Sequence, residues 1–195
     1  MAKLYRVESV TPRPTSPASP SLRPPGNVPY VIDNLWEWAR PAGLPSRRGC
    51  AYASPTPELA WQNAKHRPDN QLVALRFRPE AVVVQANVDD ARYHPDCQPA
   101  LRQHLFELLG GRQWPSLPVA QKLAAAPLFL PTLSRNELNE LLGTGGALAA
   151  IADELRPLIT FWSTVRRVDL SADTLPSPTG EVFFSTDAVE SKDPV

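Results

Sequence analysis

The sequence predicts an α+β fold in which a split, mixed β-sheet carries a helical insertion. Short apolar segments typical of strands lie near both ends of the chain, and amphipathic segments typical of helices are concentrated between residues 99 and 155. The strands do not alternate regularly with helices, which argues against a doubly wound parallel sheet. A chain of 195 residues, of which 43% are hydrophobic, is long enough to bury a core of this kind.

We predict a single domain over residues 1–187, in which residues 99–155 form the helical insertion. Residues 188–195 are predicted to be a polar, disordered tail. The chain contains 23 prolines, a share well above the average for proteins. Because proline lacks a backbone N–H donor, the strands are expected to be short and the loops numerous.

The composition argues against several classes of function. Lys and Arg together number 20, as do Asp and Glu, so no basic excess favours nucleic-acid binding. No window approaches the roughly 18 apolar residues of a membrane-spanning helix. Cys50, Cys97 and the three histidines show no metal-binding spacing, so no metal is predicted. The chain begins without a secretory signal, and we expect a cytoplasmic protein or one delivered into a target cell without a cleaved signal peptide.

The first predicted element is a strand at residues 3–9, where side chains alternate between two faces. Arg6 lies on a face of mixed polarity, either in a cleft or at the edge of a sheet. The proline-rich residues 11–29 are then predicted to form an extended loop.

A short helix is expected to follow this loop and to end at Ala39, with Asp33 or Asn34 as its N-cap. Trp36 and Trp38 allow two interpretations. Both fill the core, or one of them forms the wall of a pocket for a planar ligand.

Residues 47–64 predict a short strand, a tight polar turn and a helix. Pro55 and Pro57 cannot continue a β-ladder, because each removes an N–H donor. Thr56 is a good N-cap, and Pro57 suits the first helical position. The turn therefore brings the hydroxyl groups of Ser54 and Thr56 close to a helix N-terminus, which tolerates anions. The same residues are also a common way to begin a helix.

The later elements follow from hydrophobic periodicity and turn residues. Three consecutive valines at residues 82–84 are typical of a strand that is buried on both faces. The glycine-rich residues 143–146 favour a turn between helices over a phosphate-binding loop, because no strand precedes them. The predicted strands are 71–77, 81–87, at least one of 158–163 and 165–170, and 181–185; the predicted helices are 99–109, 119–126, 134–142 and 147–155.

Three polar residues stand out as candidates for a site. Arg6 lies in the first strand, Ser54 ends a central strand, and Glu181 begins the last strand after a loop. Each has an ordinary explanation when taken alone, because an Arg in a strand usually faces solvent and a carboxylate at a loop usually aids solubility.

Taken in this order, these residues resemble the Arg–Ser–Glu class of mono-ADP-ribosyltransferases. That family has an aromatic residue followed by an Arg near the N-terminus, as Tyr5 and Arg6 stand here. It has a strand that ends in a Ser-x-Ser/Thr motif and leads into a helix, as Ser54 and Thr56 do. It also has a Glu at the head of a late strand, where this chain has Glu181.

The resemblance implies a split-sheet fold of the ADP-ribosyltransferase type, with NAD as a substrate. Arg6 would bind the phosphates of NAD. Ser54 would hold Glu181 by a hydrogen bond, and Glu181 would stabilise the oxocarbenium-like transition state as nicotinamide leaves. The other residues that the resemblance places around NAD are Tyr5, Tyr52, Thr56 and Trp36, of which Tyr52 or a tryptophan would stack on a ring.

The same resemblance implies a bacterial toxin or effector that transfers ADP-ribose to a macromolecule, together with a neutralising immunity or antitoxin protein. Arginine-modifying members have a Gln or Glu two residues before the catalytic Glu, where this chain has Thr179. The acceptor therefore stays open between another side chain, a nucleic acid, a small molecule and water.

A second interpretation is an NAD-hydrolysing toxin similar to the RES-domain family. The chain resembles that family loosely at two places. These are residues 47–49, which precede a strand, and Tyr52 with the turn that follows it. In this case Glu37 or Glu58 would replace Glu181 as the essential carboxylate. A third interpretation is a non-enzymatic domain that binds a partner, in which the three candidate residues need not lie together.

Overall fold

The computed structural model describes residues 3–10, 26–64 and 67–195, and within them the predicted α+β class is confirmed. The strands are β1 (Leu4–Ser9), β2 (Cys50–Ala53), β3 (Asn70–Phe77), β4 (Val83–Gln85), β5 (Arg166–Arg167), β6 (Val182–Ser185) and β7 (Val189–Pro194). The α-helices are α1 (Tyr30–Ala39), α2 (Pro57–Asn63), α3 (Pro99–Leu108), α4 (Val119–Ala125), α5 (Arg135–Leu142), α6 (Ala149–Leu155) and α7 (Phe161–Thr164). Short 3-10 helices lie at Arg47–Gly49, Ala91–Tyr93, Pro95–Cys97, Gly111–Ser116, Ala126–Phe129, Arg156–Leu158 and Thr186–Ala188.

The chain divides into two compact units. The first unit is drawn from Met1–Leu22, Gly43–Asp90 and Thr164–Val195, and it contains the strands β1 to β7. The second unit is drawn from Arg23–Ala42 and Ala91–Ser163 and is helical. It includes the whole of the predicted insertion. The predicted loop at residues 11–29 lies outside the described residues, except for its last four positions.

The strands of the first unit form two sheets. One has the order β1-β3-β7 and the other the order β2-β6-β4-β5. The prediction of a mixed sheet is wrong, because the ladders between the described strands are antiparallel. A parallel pair needs a crossover connection, and the strand–helix–strand segment β2–α2–β3 places its two strands in different sheets.

The core of the first unit is formed by small and branched side chains from both sheets. Alternation along each strand sends every second side chain inward. All three residues of β4 are buried, as its run of valines predicts. The buried residues that pack together include Leu4, Val73 and Leu75 from one sheet and Ala51, Ala53, Val83, Val182 and Phe184 from the other.

The prediction of a disordered tail at residues 188–195 is wrong, because most of it forms strand β7. This strand pairs with β3, and the N–H of Val195 donates to the carbonyl of Leu72 at 3.2 Å. Its charged residues find partners across the sheet: Lys192 donates to Glu8 at 2.8 Å, and Asp193 accepts from Arg76 at 2.9 Å. Polar composition alone did not reveal these partners, which lie far away along the chain.

In the second unit, helix α1 begins at Tyr30, so the prediction of an N-cap at Asp33 or Asn34 is wrong. Both residues are buried inside the helix. Nδ2 of Asn34 donates to the carbonyl oxygens of Leu128 and Leu130, each at 2.8 Å. Asn34 therefore forms tertiary hydrogen bonds and does not cap the helix.

Trp36 is a core residue of the second unit, and the interpretation of Trp36 as the wall of a ligand pocket is wrong. It is 1% exposed, and its ring stacks on that of Phe161 with 4.1 Å between centroids. Its Nε1 donates to Oδ2 of Asp96 at 2.8 Å. Trp38 is also buried, so both tryptophans fill the core.

The predicted helix ends are largely confirmed. Thr56 caps α2 by accepting a hydrogen bond from the N–H of Leu59 at 3.3 Å. Ser134 and Glu137 form the predicted capping box of α5. The glycine-rich residues 143–146 connect α5 with α6, as expected for a turn between helices. None of the helices in the described ranges combines the length and the apolar character that crossing a membrane requires.

Candidate functional site

Ser54 directly follows β2 and Glu181 directly precedes β6. Tyr52 lies opposite Phe183 and Ala53 opposite Val182, where the antiparallel ladder ends, so Ser54 and Glu181 are the next residues of the two segments at the same end of the ladder. Successive side chains of a strand point to opposite faces. Tyr52 and Phe183 therefore share one face of the two strands, which we call the β2–β6 face, while Ala53 and Val182 belong to the core.

The loop that delivers Glu181 is held in place by one buried side chain. Nε2 of Gln85 donates to the carbonyls of Ser177 and Gly180 at 2.9 and 2.8 Å, and the N–H of Ser177 donates back to Oε1 at 2.9 Å. Gly180 packs so closely that a Cβ there would lie 2.1 Å from the carbonyl oxygen of Ala86. This position therefore requires glycine, and the backbone that leads into Glu181 is fixed.

Both the backbone and the side chain of Glu181 have defined partners. Its N–H donates to the carbonyl of Val88 at 2.7 Å, and its carbonyl accepts from the N–H of Ala86 at 2.9 Å. Its Oε1 accepts a hydrogen bond from Nη2 of Arg47 at 2.8 Å. The side chains of this ion pair are only 12% and 6% exposed. A charge pair withdrawn from water to this extent is costly to break, because removing either partner leaves the other charge buried.

Arg47 lies in the 3-10 turn just before β2 and is surrounded by aromatic rings. Its guanidinium carbon is 5.5 Å from the ring centroid of Tyr52 and 5.8 Å from that of Phe183. These distances allow cation–π attraction to both rings. The hydroxyl of Tyr52 donates to the carbonyl of Arg47 at 2.8 Å, which ties the turn to the strand. Tyr52 itself is 37% exposed, so part of its ring faces solvent.

Ser54 joins the two sheets of the first unit. Its N–H and carbonyl exchange hydrogen bonds with those of Tyr5 at 2.8 and 2.9 Å. Its buried hydroxyl accepts from Nδ2 of Asn63 at 3.5 Å. The resemblance assigned this hydroxyl to Glu181, whereas the structure gives Arg47 as a residue that binds that carboxylate.

Arg6 does not lie on the β2–β6 face. It follows Tyr5 in β1, and because neighbours in a strand point to opposite faces, its side chain leaves the sheet on the other side from Tyr5. Its Nε is 3.8 Å from Oε2 of Glu8, and its side chain is 37% exposed. Of the three predicted residues, Ser54 and Glu181 thus stand next to the same end of the ladder between β2 and β6, and Arg6 lies in β1 beside Glu8.

The remaining predicted residues have other surroundings. The hydroxyl of Thr56 is used to cap α2. Trp36 is buried in the core of the second unit, where Glu37 pairs with Arg40 at 2.9 Å. Glu58 is exposed in the first turn of α2.

In the part of the chain that the structure describes, no group of three or more His, Cys, Asp or Glu side chains is placed to hold a metal ion. A pocket of about 370 Å³ lies at the far end of β6 from Glu181, lined by Leu44, Pro45, Arg78, Glu80, Ser185 and Asp187 among others. None of the predicted site residues lines it.

Sequence reasoning missed the two residues that organise the site. Arg47 belongs to the residues that resemble the RES-domain family, and the sequence predicts Gln85 only as part of a strand. A usable signal existed for Gln85, because a lone polar residue after three valines in a buried strand must find a hydrogen-bond partner. Comparison of the chain with protein-family models, curated proteins and solved structures found no match.

Proposed function

We propose that this protein cleaves NAD and transfers ADP-ribose to an acceptor, with Glu181 as the essential carboxylate. The observation that supports this proposal is the largely buried carboxylate of Glu181, which is 12% exposed and accepts a hydrogen bond of 2.8 Å from Arg47. The β2–β6 face offers the partly exposed ring of Tyr52 as a surface for a planar group of the substrate.

In the proposed reaction the bond between the ribose C1′ and the nicotinamide nitrogen breaks. Nicotinamide leaves with the bonding electron pair, and positive charge develops on the ribose. The carboxylate of Glu181, withdrawn from water and fixed in place, stabilises that charge. An oxygen or nitrogen of the acceptor then bonds to C1′ and releases its proton to solvent.

The binding of the substrate phosphates by Arg6 stays a prediction from the resemblance. Arg6 is near Glu8, and its side chain is sufficiently exposed to exchange partners with an arriving phosphate. An Arg suits this task because its planar guanidinium can bind a phosphate through two hydrogen bonds.

The first experiment follows release of nicotinamide from NAD by the purified chain and by a Glu181→Gln variant. We expect the variant to lose about 10²–10³-fold in rate, the scale typical of removing one electrostatic stabiliser from a transition state. Glu190→Gln is the matched control, because Glu190 is exposed on β7 and away from the β2–β6 face. Undiminished release by a folded Glu181→Gln variant would contradict the proposal.

A second candidate function is hydrolysis of NAD, which the contacts between Arg47 and Tyr52 favour because the RES-like pattern includes both positions. Labelled NAD with a cell lysate separates the two reactions. Label on a macromolecule indicates transfer, and release of labelled ADP-ribose without any acceptor indicates hydrolysis. Glu37→Gln and Glu58→Gln are tested beside Glu181→Gln, because loss of activity in either would favour the second candidate.

The resemblance extends the proposal to a bacterial toxin or effector that a partner protein neutralises. Expression inside bacterial cells tests this extension. The wild-type chain is expected to arrest growth, and the Glu181→Gln variant is expected to be tolerated at the same level of protein. Normal growth with active wild-type protein would contradict the toxin assignment but leave the reaction itself standing.

A further inference from the structure

We propose that Arg47 is a positioning residue that holds the carboxylate of Glu181 in the orientation in which it meets the substrate ribose. This inference rests on the proposed function and assigns to Arg47 the task that the resemblance gives to Ser54. The contact that carries it is the hydrogen bond of 2.8 Å between Nη2 of Arg47 and Oε1 of Glu181.

Both ends of this contact are anchored to rigid parts of the fold. The backbone of Glu181 is bound on the side of β4 by Ala86 and Val88. The backbone of Arg47 is bound by the hydroxyl of Tyr52. The ion pair therefore connects two fixed points that are 134 residues apart in the chain, and it restricts the remaining rotation of the Glu181 side chain.

The surroundings of the cation suit an arginine rather than a lysine. The guanidinium carbon lies between 5 and 6 Å from the ring centroids of both Tyr52 and Phe183, which face each other across β2 and β6. A planar guanidinium can contact such rings and still donate in its own plane, whereas an ammonium group is a compact charge without this geometry.

The position of Arg47 predicts which kinetic constant depends on it. A carboxylate that is turned away from the reacting carbon stabilises the transition state less, while binding of the substrate changes little. Loss of the positioning contact is therefore expected to lower kcat and leave KM unchanged. If Arg47 instead bound the phosphates of NAD, its loss would raise KM.

The experiment compares nicotinamide release by the wild-type chain and by Arg47→Lys, Arg47→Ala and Arg40→Lys. We expect Arg47→Lys to lower kcat by about 100-fold, the scale that displacement of a catalytic group by about 1 Å produces. Arg40→Lys is the matched control, because Arg40 also donates from Nη2 to Oε1 of a glutamate, Glu37, at 2.9 Å and belongs to the second unit. Thermal unfolding of each variant shows that it is folded.

Chemical rescue of kcat separates a positioning role from a purely structural one, because an added guanidinium compound would not restore kcat if Arg47 only stabilised the fold. Ethylguanidine added to the Arg47→Ala variant is expected to enter the space left by the side chain, pair with Glu181 and restore part of kcat. It should have no such effect on the Glu181→Gln variant. If Arg47→Ala does not fold, the split between kcat and KM in Arg47→Lys decides.

The outcomes separate this inference from the proposed function. If the wild-type chain is active and the Arg47→Lys variant has the same kcat, the inference is overturned and the proposed function stands. A raised KM with an unchanged kcat assigns Arg47 to substrate binding and also overturns it. If the wild-type chain releases no nicotinamide, both the proposed function and the positioning role fall.

Discussion

A single buried amide, that of Gln85, determines where the loop before β6 lies. Gln85 is 1% exposed and satisfies three backbone groups of Ser177 and Gly180. Buried carbonyl and N–H groups without hydrogen-bond partners are costly. The Gln85 side chain provides the partners that a neighbouring strand would provide in a sheet. The buried Gln85 side chain therefore fixes the position of the loop that leads into Glu181.

Gly180→Ala is expected to destabilise the protein and displace Glu181. Its Cβ would lie 2.1 Å from the carbonyl oxygen of Ala86, whose N–H is bonded to the carbonyl of Glu181 and cannot yield easily. Overpacking of this kind lowers the free energy of unfolding by about 1–3 kcal/mol. Urea unfolding measures this loss, and nicotinamide release should fall with it.

Gly49→Ala is the control for that substitution, because among the described residues no atom beyond those of its chain neighbours lies within 4 Å of a Cβ built on Gly49. It should unfold at nearly the same urea concentration as the wild-type chain. Equal losses of stability in the two variants would show that contact with Ala86 is not the cause.

Single residues also show where sequence reasoning ends. Ser54 and Glu181 could be chosen from motifs, because each stands at a recognisable junction between a loop and a strand. The partner of Glu181 could not, because Arg47 and Glu181 are 134 residues apart and only the pairing of β2 with β6 makes them neighbours.

Helices in this chain are bounded by caps that act locally. The capping box of α5 is an example: the N–H of Glu137 donates to Oγ of Ser134 at 3.2 Å, and the N–H of Ser134 donates to Oε2 of Glu137 at 2.7 Å. Each partner is three residues from the other. Such ends could be predicted from the sequence, because the geometry of a helical turn sets the distance.

The Ser134→Ala variant should respond less to acid than the wild-type chain. Hydrogen bonds from the side chain and then the backbone of Ser134 lower the pKa of Glu137 below its usual value of 4.5. A carboxyl whose pKa is lower in the folded state adds stability above its unfolded pKa and loses it as the pH falls through the folded pKa. Without the Ser134 hydroxyl, less of the stability at neutral pH depends on this carboxylate.

The measurement is the difference in thermal unfolding temperature between pH 7 and pH 3. It should be smaller for Ser134→Ala than for the wild-type chain. Ser116→Ala is the control, because the hydroxyl of Ser116 donates to the carbonyl of Gln113 and not to a carboxylate. The same pH response in all three proteins would refute the role of this cap.

Strands depend on partners more than helices do. The alternating polar residues of β7 do not by themselves predict a strand. The segment forms a strand because it pairs with β3. The first unit thus needs residues from both ends of the chain to complete the sheet β1-β3-β7.

At the scale of the whole molecule, each unit contains a buried polar side chain that forms hydrogen bonds with several other residues. In the second unit this group is Asp96, which is 3% exposed. Its carboxylate accepts from Nε1 of Trp36 at 2.8 Å, from Oγ1 of Thr160 at 2.6 Å and from the N–H of Phe161 at 3.0 Å. Residues from three distant parts of the sequence meet at this one carboxylate.

Asp96→Asn should destabilise the second unit by more than about 2 kcal/mol, because each hydrogen bond to a charged group contributes about 1.5–3 kcal/mol. Tryptophan fluorescence during urea unfolding reports the change, since Trp36 and Trp162 both belong to this unit. Asp153→Asn, at an exposed position of α6, is the control. Equal unfolding midpoints for the two variants would contradict a central role for Asp96.

The sequence by itself determined the α+β class, most helices and strands, and the caps of α2 and α5. These features depend on hydrophobic periodicity and on hydrogen bonds between residues three or four positions apart. The tertiary structure alone decided that Trp36 is buried, that residues 189–194 form a strand, and that Arg47 binds Glu181. Those outcomes depend on strand register and on the burial of charges between residues far apart in the chain, which no local pattern encodes.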